Sequence, residues 1–279
     1  MQYMRVAVVV SCTLAIVVLF FQWALFKHND AIAKFHTEDK TLASASYPST
    51  RSRVLLYITT YPNLDHLEKM RTCWPALIRK STLLAQADII VYVGGEVEIS
   101  ILDKWTAALH AIPNNTTLMY NKWNPGYQEG AMMSMSVFFE KKWWHGYEWI
   151  VRLNPDTFIY NDTLLKTMMF SNNNVDAVLA NCEPHVVYNQ SFGGIIKNFN
   201  VHTDFFAVRP EKLPPDAFSD WQKQKNAERQ ASQIFANLVR NRRVAWILRK
   251  NKDYSCRVRG SGLCHENGNK CEFVSSDCI

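Results

Sequence analysis

The chain has 279 residues, of which 48% are hydrophobic and 20% are charged, with ten Gly and ten Pro. This composition is typical of a globular protein with one sizeable core, and it excludes an intrinsically disordered chain. The formal net charge of +6 is modest, and the basic segment 240–259 that carries much of it is either a solvated surface or a cation cluster for a pyrophosphate or an acidic acceptor.

The first apolar segment spans residues 6–26, and its polar side chains are limited to Ser11, Thr13 and Gln22. About 20 residues of helix cross a bilayer, so this length predicts a transmembrane helix. A cleaved signal peptide is the alternative, but its apolar region is usually only about 7–15 residues long. We therefore expect residues 1–27 to be a short cytosolic end and an uncleaved signal anchor.

Beyond the anchor, a polar segment at 28–50 is expected to be a stem, and the folded domain to span 51–279. Runs of β-branched and aromatic residues predict strands at 54–60, 88–93, 118–120, 149–153, 177–180, 205–208 and 244–248. Helices are predicted at 64–84 with an interruption at Pro75, at 98–110, at 127–144, from Asn161 or Asp162 through Met168, and at 226–240. Strands that alternate with helices of this length predict right-handed βαβ units and a mostly parallel sheet.

Six of the seven cysteines lie beyond the apolar segment, at Cys73, Cys182, Cys256, Cys264, Cys271 and Cys278. The last four are 8, 7 and 7 residues apart and form no Cys-x-x-Cys pair. This spacing argues against a structural zinc site and for disulfides within a cysteine-rich tail, residues 256–279. We therefore expect the domain to occupy an oxidising compartment, behind a membrane and away from nucleic acid.

The apolar strand 149–153 ends in a short polar tip, Asn154-Pro155-Asp156. In open α/β sheets, ligands bind in the crevice beyond the carboxyl ends of the strands. A carboxylate at that place can bind a magnesium-type or manganese-type cation together with the phosphates of a ligand. The alternative is a simple turn, in which Pro155 holds Asn154 extended and Asp156 forms an Asx turn.

Three segments of the chain resemble the GT-A glycosyltransferases, namely 124–131, 146–156 and 203–210. The resemblance implies one α/β domain of GT-A type, Rossmann-like with a mostly parallel sheet, after the N-terminal transmembrane helix. In that superfamily an Asp-x-Asp motif after the fourth strand holds a divalent cation, usually manganese, against the diphosphate of a nucleotide sugar. In this chain Asn154 stands at the first position of the motif, and Asp156 keeps the carboxylate.

The resemblance also implies a donor site at the carboxyl edge of the sheet. Its candidate residues are Thr59, Thr60, Tyr61, Gly126, Gly130, Arg152, Asn154 and Asp156. In related enzymes, residues at the end of the first strand contact the nucleotide base. The glycines would let backbone amides approach the nucleotide. Each has a structural alternative as well: a strand end, a helix entry, or a salt bridge in the case of Arg152.

Two carboxylates are candidates for the base that takes a proton from the acceptor hydroxyl. Glu228 opens a predicted helix, as the base does in inverting GT-A enzymes, and the positive end of the helix dipole would keep it ionised. Its alternative is an ordinary first-turn Glu. Asp204 is the second candidate, and otherwise it binds acceptor hydroxyls or makes a structural hydrogen bond. If the reaction retains the anomeric configuration, both residues become acceptor ligands.

The expected cofactor is Mn²⁺ or Mg²⁺, bound by Asp156 and by a histidine. His265 is the first candidate, because many GT-A enzymes complete the metal shell with a histidine near the C-terminus, and imidazole is a suitable manganese ligand. His185 and His202 compete for this role. The alternative for His265 is a surface residue beside a cysteine.

The sequence thus predicts a metal-dependent glycosyltransferase that moves a sugar from a nucleotide sugar, with UDP as the favoured nucleotide, to a glycan or glycoprotein hydroxyl. The protein would be a type II membrane protein of the Golgi or ER, anchored through residues 6–26, with its catalytic domain in the lumen. The alternative is a non-catalytic, membrane-tethered carbohydrate-binding protein on the same fold, which the asparagine at position 154 would favour.

Overall fold

The computed structural model describes residues 53–171, 173–181, 201–221, 226–247, 259–260 and 263–265. The predicted anchor, the predicted stem and most of the cysteine-rich tail lie outside these residues. No helix in the part of the chain that the structure describes is long and apolar enough to cross a membrane.

The described residues form ten strands: β1 (Val54–Thr60), β2 (Asp88–Gly94), β3 (Thr116–Asn121), β4 (Trp149–Leu153), β5 (Thr157–Ile159), β6 (Ala177–Asn181), β7 (Val201–Val208), β8 (Val244–Ile247), β9 (Arg259–Gly260) and β10 (Leu263–His265). Seven of them make one sheet in the order β3-β2-β1-β4-β7-β6-β8. Strand β7 is antiparallel to both of its neighbours, and the other pairs in this sheet are parallel. The predicted α/β architecture with a mostly parallel sheet is therefore confirmed. Strands β5, β10 and β9 form a small antiparallel sheet.

Five α-helices are described: α1 (Leu64–Lys80), α2 (Ile99–His110), α3 (Tyr127–Glu140), α4 (Asp162–Phe170) and α5 (Ala227–Arg240). Three of them begin after an asparagine whose side-chain oxygen accepts a backbone N–H of the first turn, which is the usual way to satisfy an exposed amide there. These caps are Asn63 for α1, Asn161 for α4 and Asn226 for α5. The prediction that a helix starts at Asn161 or Asp162 is thus confirmed.

Some boundaries differ from those predicted, each for a physical reason. Pro75 does not interrupt α1, which continues through it to Lys80 because Trp74 and Leu77 beside it are buried in the core. Helix α3 ends at Glu140 rather than at residue 144, since Lys142 takes a left-handed conformation with φ of 52°.

Strand β7 begins at Val201, four residues before the predicted strand, since its first half is polar but buried. Apolar periodicity could not mark that half, because the signal of a buried strand is a run of apolar residues.

The core covers both faces of the sheet, and the candidate residues lie where several of its strands end. All residues of β1, β4 and β7 are buried, as expected for a sheet with both faces covered. Leu153, the last residue of β4, is opposite Phe205 of antiparallel β7, so residues 201–204 extend beyond the end of β4. The carboxyl ends of β1 to β4 and the amino end of β7 therefore meet at one place, which we call the carboxyl edge.

Candidate functional site

The polar tip after β4 is fixed by its surroundings at the carboxyl edge. The indole N–H of Trp74 donates to the Pro155 carbonyl at 2.9 Å, and the Thr157 N–H donates to the Asn154 carbonyl at 3.1 Å. These two bonds anchor the turn on both sides of Asp156, so the side chain of Asp156 has a defined place. A turn and a ligand site are thus compatible descriptions of the same residues.

Asp156 is close to a histidine from the helix that follows β1. Its Oδ2 lies 3.4 Å from His66 Nε2, and the two side chains are 13% and 9% exposed. The Nδ1 of the same imidazole lies 2.7 Å from Thr60 Oγ1, at the end of β1. Tyr61, 41% exposed, packs edge-on against the imidazole with 5.4 Å between ring centroids. Two residues predicted for the donor site, Thr60 and Tyr61, therefore surround the only histidine near Asp156 among the described side chains.

Asn154 and Asp204 form a second unit of the edge. The side-chain amide of Asn154 donates to Asp204 Oδ1 at 2.7 Å, and its backbone N–H donates to the Asp204 carbonyl at 3.3 Å. The Asp204 N–H donates to His202 Nδ1 at 3.2 Å, and that histidine is 2% exposed. His202 thus lies beneath Asp204, and Asp204 is held by contacts on both sides.

Glu228 belongs to a third unit, at the start of α5. Its Oε1 accepts a hydrogen bond from Thr203 Oγ1 at 3.2 Å. The Ala227 N–H donates to Gln128 Oε1 at 3.2 Å, which joins the starts of α3 and α5. Because successive strand residues point to opposite sides, Thr203 and Asp204 diverge, and the two candidate bases approach the edge from different directions.

The two candidate glycines have different surroundings. Gly126 has a φ of 129°, which favours glycine, and among the described residues no atom lies within 4 Å of where a Cβ would be. The Gly130 N–H donates to the Gly126 carbonyl at 2.7 Å, inside the helix. A Cβ at Gly130 would lie 2.1 Å from Asn124 Oδ1. Close packing therefore explains Gly130, whereas Gly126 is exposed, with its N–H donating to Asn124 Oδ1 at 3.0 Å.

Arg152 lies below the edge rather than on it. It is 1% exposed, and its Nη2 donates to Thr59 Oγ1 at 2.6 Å, with Thr59 itself 5% exposed. The cation therefore adds positive potential under the end of β1 without reaching solvent in this conformation. A direct contact of Thr59 or Arg152 with a donor stays a prediction.

The donor atoms beside Asp156 are chemically suited to a divalent cation, because a carboxylate oxygen and an imidazole nitrogen both bind manganese. Within the described residues, no group of three or more His, Cys, Asp or Glu side chains could hold such an ion. Oxygens from a ligand or from water could add to these two donor atoms. The backbone of His265 pairs with Thr157, next to Asp156, while its side chain and all of His185 lie outside the described residues.

Sequence reasoning missed three participants in the site: His66, Thr203 and Trp123. His66 lies in the first turn of the helix after β1, and this position past a strand end is the signal that could have identified it. Trp123 follows β3, is 46% exposed, and packs against Trp221 with 5.7 Å between ring centroids. An exposed tryptophan beside such an edge, with a half-buried one packed against it, offers an aromatic face to a ligand.

No protein-family model and no curated protein matches the chain. Among solved structures, a mannosyltransferase from Pyrobaculum calidifontis in complex with GDP-mannose and Mn²⁺ is 14% identical, over 75% of this chain and 61% of that one, with a TM-score of 0.42. This chain thus spans less than two thirds of that protein.

Two eukaryotic structures are similar to the same degree. Mouse xyloside xylosyltransferase 1 in its apo form is 11% identical, over 79% of this chain and 99% of that one, with a TM-score of 0.44. The Mn/GDP form of core-mannan synthase A from Aspergillus fumigatus is 11% identical, over 75% of both chains, with a TM-score of 0.42. At TM-scores below 0.5 these likenesses carry no argument about the function of this chain.

Proposed function

We propose that the chain is a metal-dependent glycosyltransferase, which moves a sugar from a nucleotide sugar to a hydroxyl of a glycan or glycoprotein. The observation that carries this proposal is that contacts of Asn154 with Asp204, and of Thr203 with Glu228, connect Asp156, Asp204 and Glu228 at the carboxyl edge. The three carboxylates have different partners, namely His66 for Asp156, Asn154 for Asp204 and Thr203 for Glu228. We therefore assign them different roles in the reaction. A UDP-sugar is the first donor class to test.

The first step is departure of the nucleoside diphosphate. A divalent cation bound at Asp156 would supply Lewis-acid stabilisation of the negative charge that grows on the diphosphate. Around it, the chain itself supplies the open space beside Gly126 and the exposed ring of Tyr61 as a place for the nucleotide. The buried Arg152 guanidinium adds favourable potential from below.

As the bond to the diphosphate breaks, the acceptor oxygen forms a bond to the anomeric carbon, and its hydroxyl proton passes to a base. Glu228 is the proposed base, because it sits in the first turn of α5, where the helix dipole favours the ionised form. Its bond to the Thr203 hydroxyl orients the carboxylate. Asp204 is the second candidate, and its engagement with Asn154 suits a residue that holds the acceptor in place.

The acceptor class is supported by the tryptophan pair. Trp123, just after β3, packs against Trp221, and indole rings present an apolar face with a polar N–H that suits carbohydrate. The sequence further supports a type II membrane protein of the Golgi or ER, anchored through residues 6–26 with its catalytic domain in the lumen.

One observation favours a second function, carbohydrate binding without catalysis. Asn154 replaces an acidic residue of the motif, and its amide is engaged with Asp204. A donor screen separates the two functions. Full-length chain in detergent is incubated with nucleotide sugars and glycan acceptors, with Mn²⁺ or with EDTA. Released nucleoside diphosphate is measured, and the product linkage is determined by NMR.

The proposal predicts Mn²⁺-dependent release that is lost in Asp156→Asn. It also predicts that Glu228→Gln lowers turnover more than Asp204→Asn does. Release without product would indicate donor hydrolysis, and saccharide binding without any release would support the non-catalytic function. If Glu228→Gln keeps near wild-type turnover while Asp204→Asn is inactive, the base is Asp204.

A further inference from the structure

The Thr60 hydroxyl lies 3.0 Å from the Tyr61 carbonyl, to which it donates, and 2.7 Å from His66 Nδ1. With the hydroxyl proton directed at the carbonyl, Oγ1 accepts from an Nδ1–H, and a neutral imidazole then has its lone pair on Nε2. In this tautomer the lone pair faces the Asp156 carboxylate.

In that tautomer the contact between His66 and Asp156 joins two electron-rich atoms, Nε2 and Oδ2, which lie 3.4 Å apart. A charge-assisted N–H···O bond is shorter, at about 2.7–2.9 Å. Two ligand atoms at about 2.1 Å from one cation lie roughly 3.0–3.4 Å apart when the angle at the ion is roughly 90–110°. The separation and the tautomer both fit two ligands of a shared cation.

We propose that His66 is a direct ligand, beside Asp156, of the divalent cation at the carboxyl edge. This inference rests on the proposed function, and it identifies the residue that compensates for the missing carboxylate at position 154. Metal-binding histidines usually donate their other ring N–H to an oxygen, which fixes the ring, and Thr60 Oγ1 lies where it can accept that N–H.

Asp156 and His66 supply two ligand atoms of the coordination sphere. Oxygens of the diphosphate and of water are suited to further positions, since such cations are commonly bound by one or two protein groups together with phosphates. We therefore expect the cation to bind more tightly in the presence of the nucleotide than to the chain alone.

The test is pulsed electron paramagnetic resonance of Mn²⁺ bound to the full-length chain with UDP. An imidazole nitrogen bound to Mn²⁺ modulates the spin echo, and labelling of histidine with ¹⁵N changes the modulation pattern. We expect this signal in the wild type and its loss in His66→Ala and His66→Gln. Affinity for Mn²⁺ in the presence of UDP should fall about tenfold or more, and Thr60→Val should weaken it by about tenfold.

The matched control is His110→Ala, at the exposed end of α2, which should leave signal and affinity unchanged. His265→Ala tests the histidine that the resemblance implied. The inference is overturned if the nitrogen signal survives in His66→Gln, or if Mn²⁺ binds to wild type with UDP but shows no nitrogen signal. If the wild type binds no Mn²⁺ with UDP, the metal-dependent function fails as well. Should His66→Ala not fold, the signal in His66→Gln decides.

Discussion

The side-chain amide of Asn154 donates to Asp204 Oδ1 at 2.7 Å, so the identity of each residue depends on the other. An aspartate at 154 would place two carboxylates in contact, and one of them would have to take a proton or move away. An amide avoids this conflict and orients Asp204 as well. The asparagine is therefore a fitted part of this site, and the loss of a carboxylate there does not by itself indicate loss of function.

Restoring an aspartate at this position should harm the protein. We expect Asn154→Asp to lower the free energy of unfolding by about 1–2 kcal/mol, since a hydrogen bond is replaced by repulsion between partly buried groups. Transfer should fall in parallel. The double variant Asn154→Asp with Asp204→Asn restores the hydrogen bond in reverse, and its melting temperature should recover. A stable and fully active single variant would contradict the role given to Asn154.

The carboxylate of Asp162 stabilises a turn before β2 in a pH-dependent way. Burial alone would raise the pKa of Asp162, but hydrogen bonds from the Leu83 N–H, the Ser81 hydroxyl and the Thr82 hydroxyl outweigh it and hold the pKa below its ordinary value. A carboxyl group whose pKa is lower in the folded state stabilises the fold above its unfolded pKa. That stabilisation is lost as the pH falls toward the folded pKa.

Asp162→Asn should therefore lower the melting temperature at pH 7, and the difference from wild type should shrink below about pH 4. Asp103→Asn, at an exposed position of α2, is the matched control and should show no such pattern. The measurement is thermal unfolding followed by circular dichroism between neutral and acidic pH. A difference that stays constant over this range would show that the charge of Asp162 is not what stabilises the turn.

At the scale of elements, the first turns of two helices, α1 and α5, carry candidate residues to the carboxyl edge. Helix α1 carries His66 in its first turn, and α5 carries Glu228 in its first turn. Each begins after an asparagine cap, which fixes the direction in which the first turn points. Helix α4 begins in the same manner but carries none of the candidate residues, so it serves as an internal control.

Removing the caps should separate stability from activity. Asn161→Ala and Asn226→Ala should each cost about 1 kcal/mol in the free energy of unfolding, because each leaves a first-turn amide without its acceptor. Turnover should fall only in Asn226→Ala, where the start of α5 positions Glu228. Urea unfolding and initial rates of transfer measure the two effects. Equal loss of turnover in both variants would argue that α5 has no special role.

Much of the architecture could be predicted because its signals are local. Strands β1, β2 and β4 are apolar runs, and the Asn226 cap marks the start of α5. The His66–Asp156 contact could not be predicted, since it joins residues 90 positions apart whose approach depends on the turn held by Trp74. The polar start of β7 was missed for the related reason that its neighbours, helix α5 and Asn154 after β4, are distant from it in sequence.

At the scale of the whole molecule, one reversed strand explains why the three carboxylates meet. Parallel strands alone would bring only carboxyl ends to the edge, whereas antiparallel β7 adds the start of a strand, with Thr203 and Asp204. Helix α5 then packs against β7 and places Glu228 beside them. The turn after β4 thus carries the proposed metal ligand Asp156, and β7 and α5 carry the candidate bases Asp204 and Glu228.

Calorimetric titration of UDP into the full-length chain, with and without Mn²⁺, tests the central claim most directly. We predict that Mn²⁺ makes binding of UDP markedly tighter, because the cation links Asp156 to the diphosphate. Asp156→Ala should lose that gain, while Asp103→Ala, changed on the exposed side of α2, should keep it. Binding of UDP that is equally tight without metal, and unchanged in Asp156→Ala, would contradict the account.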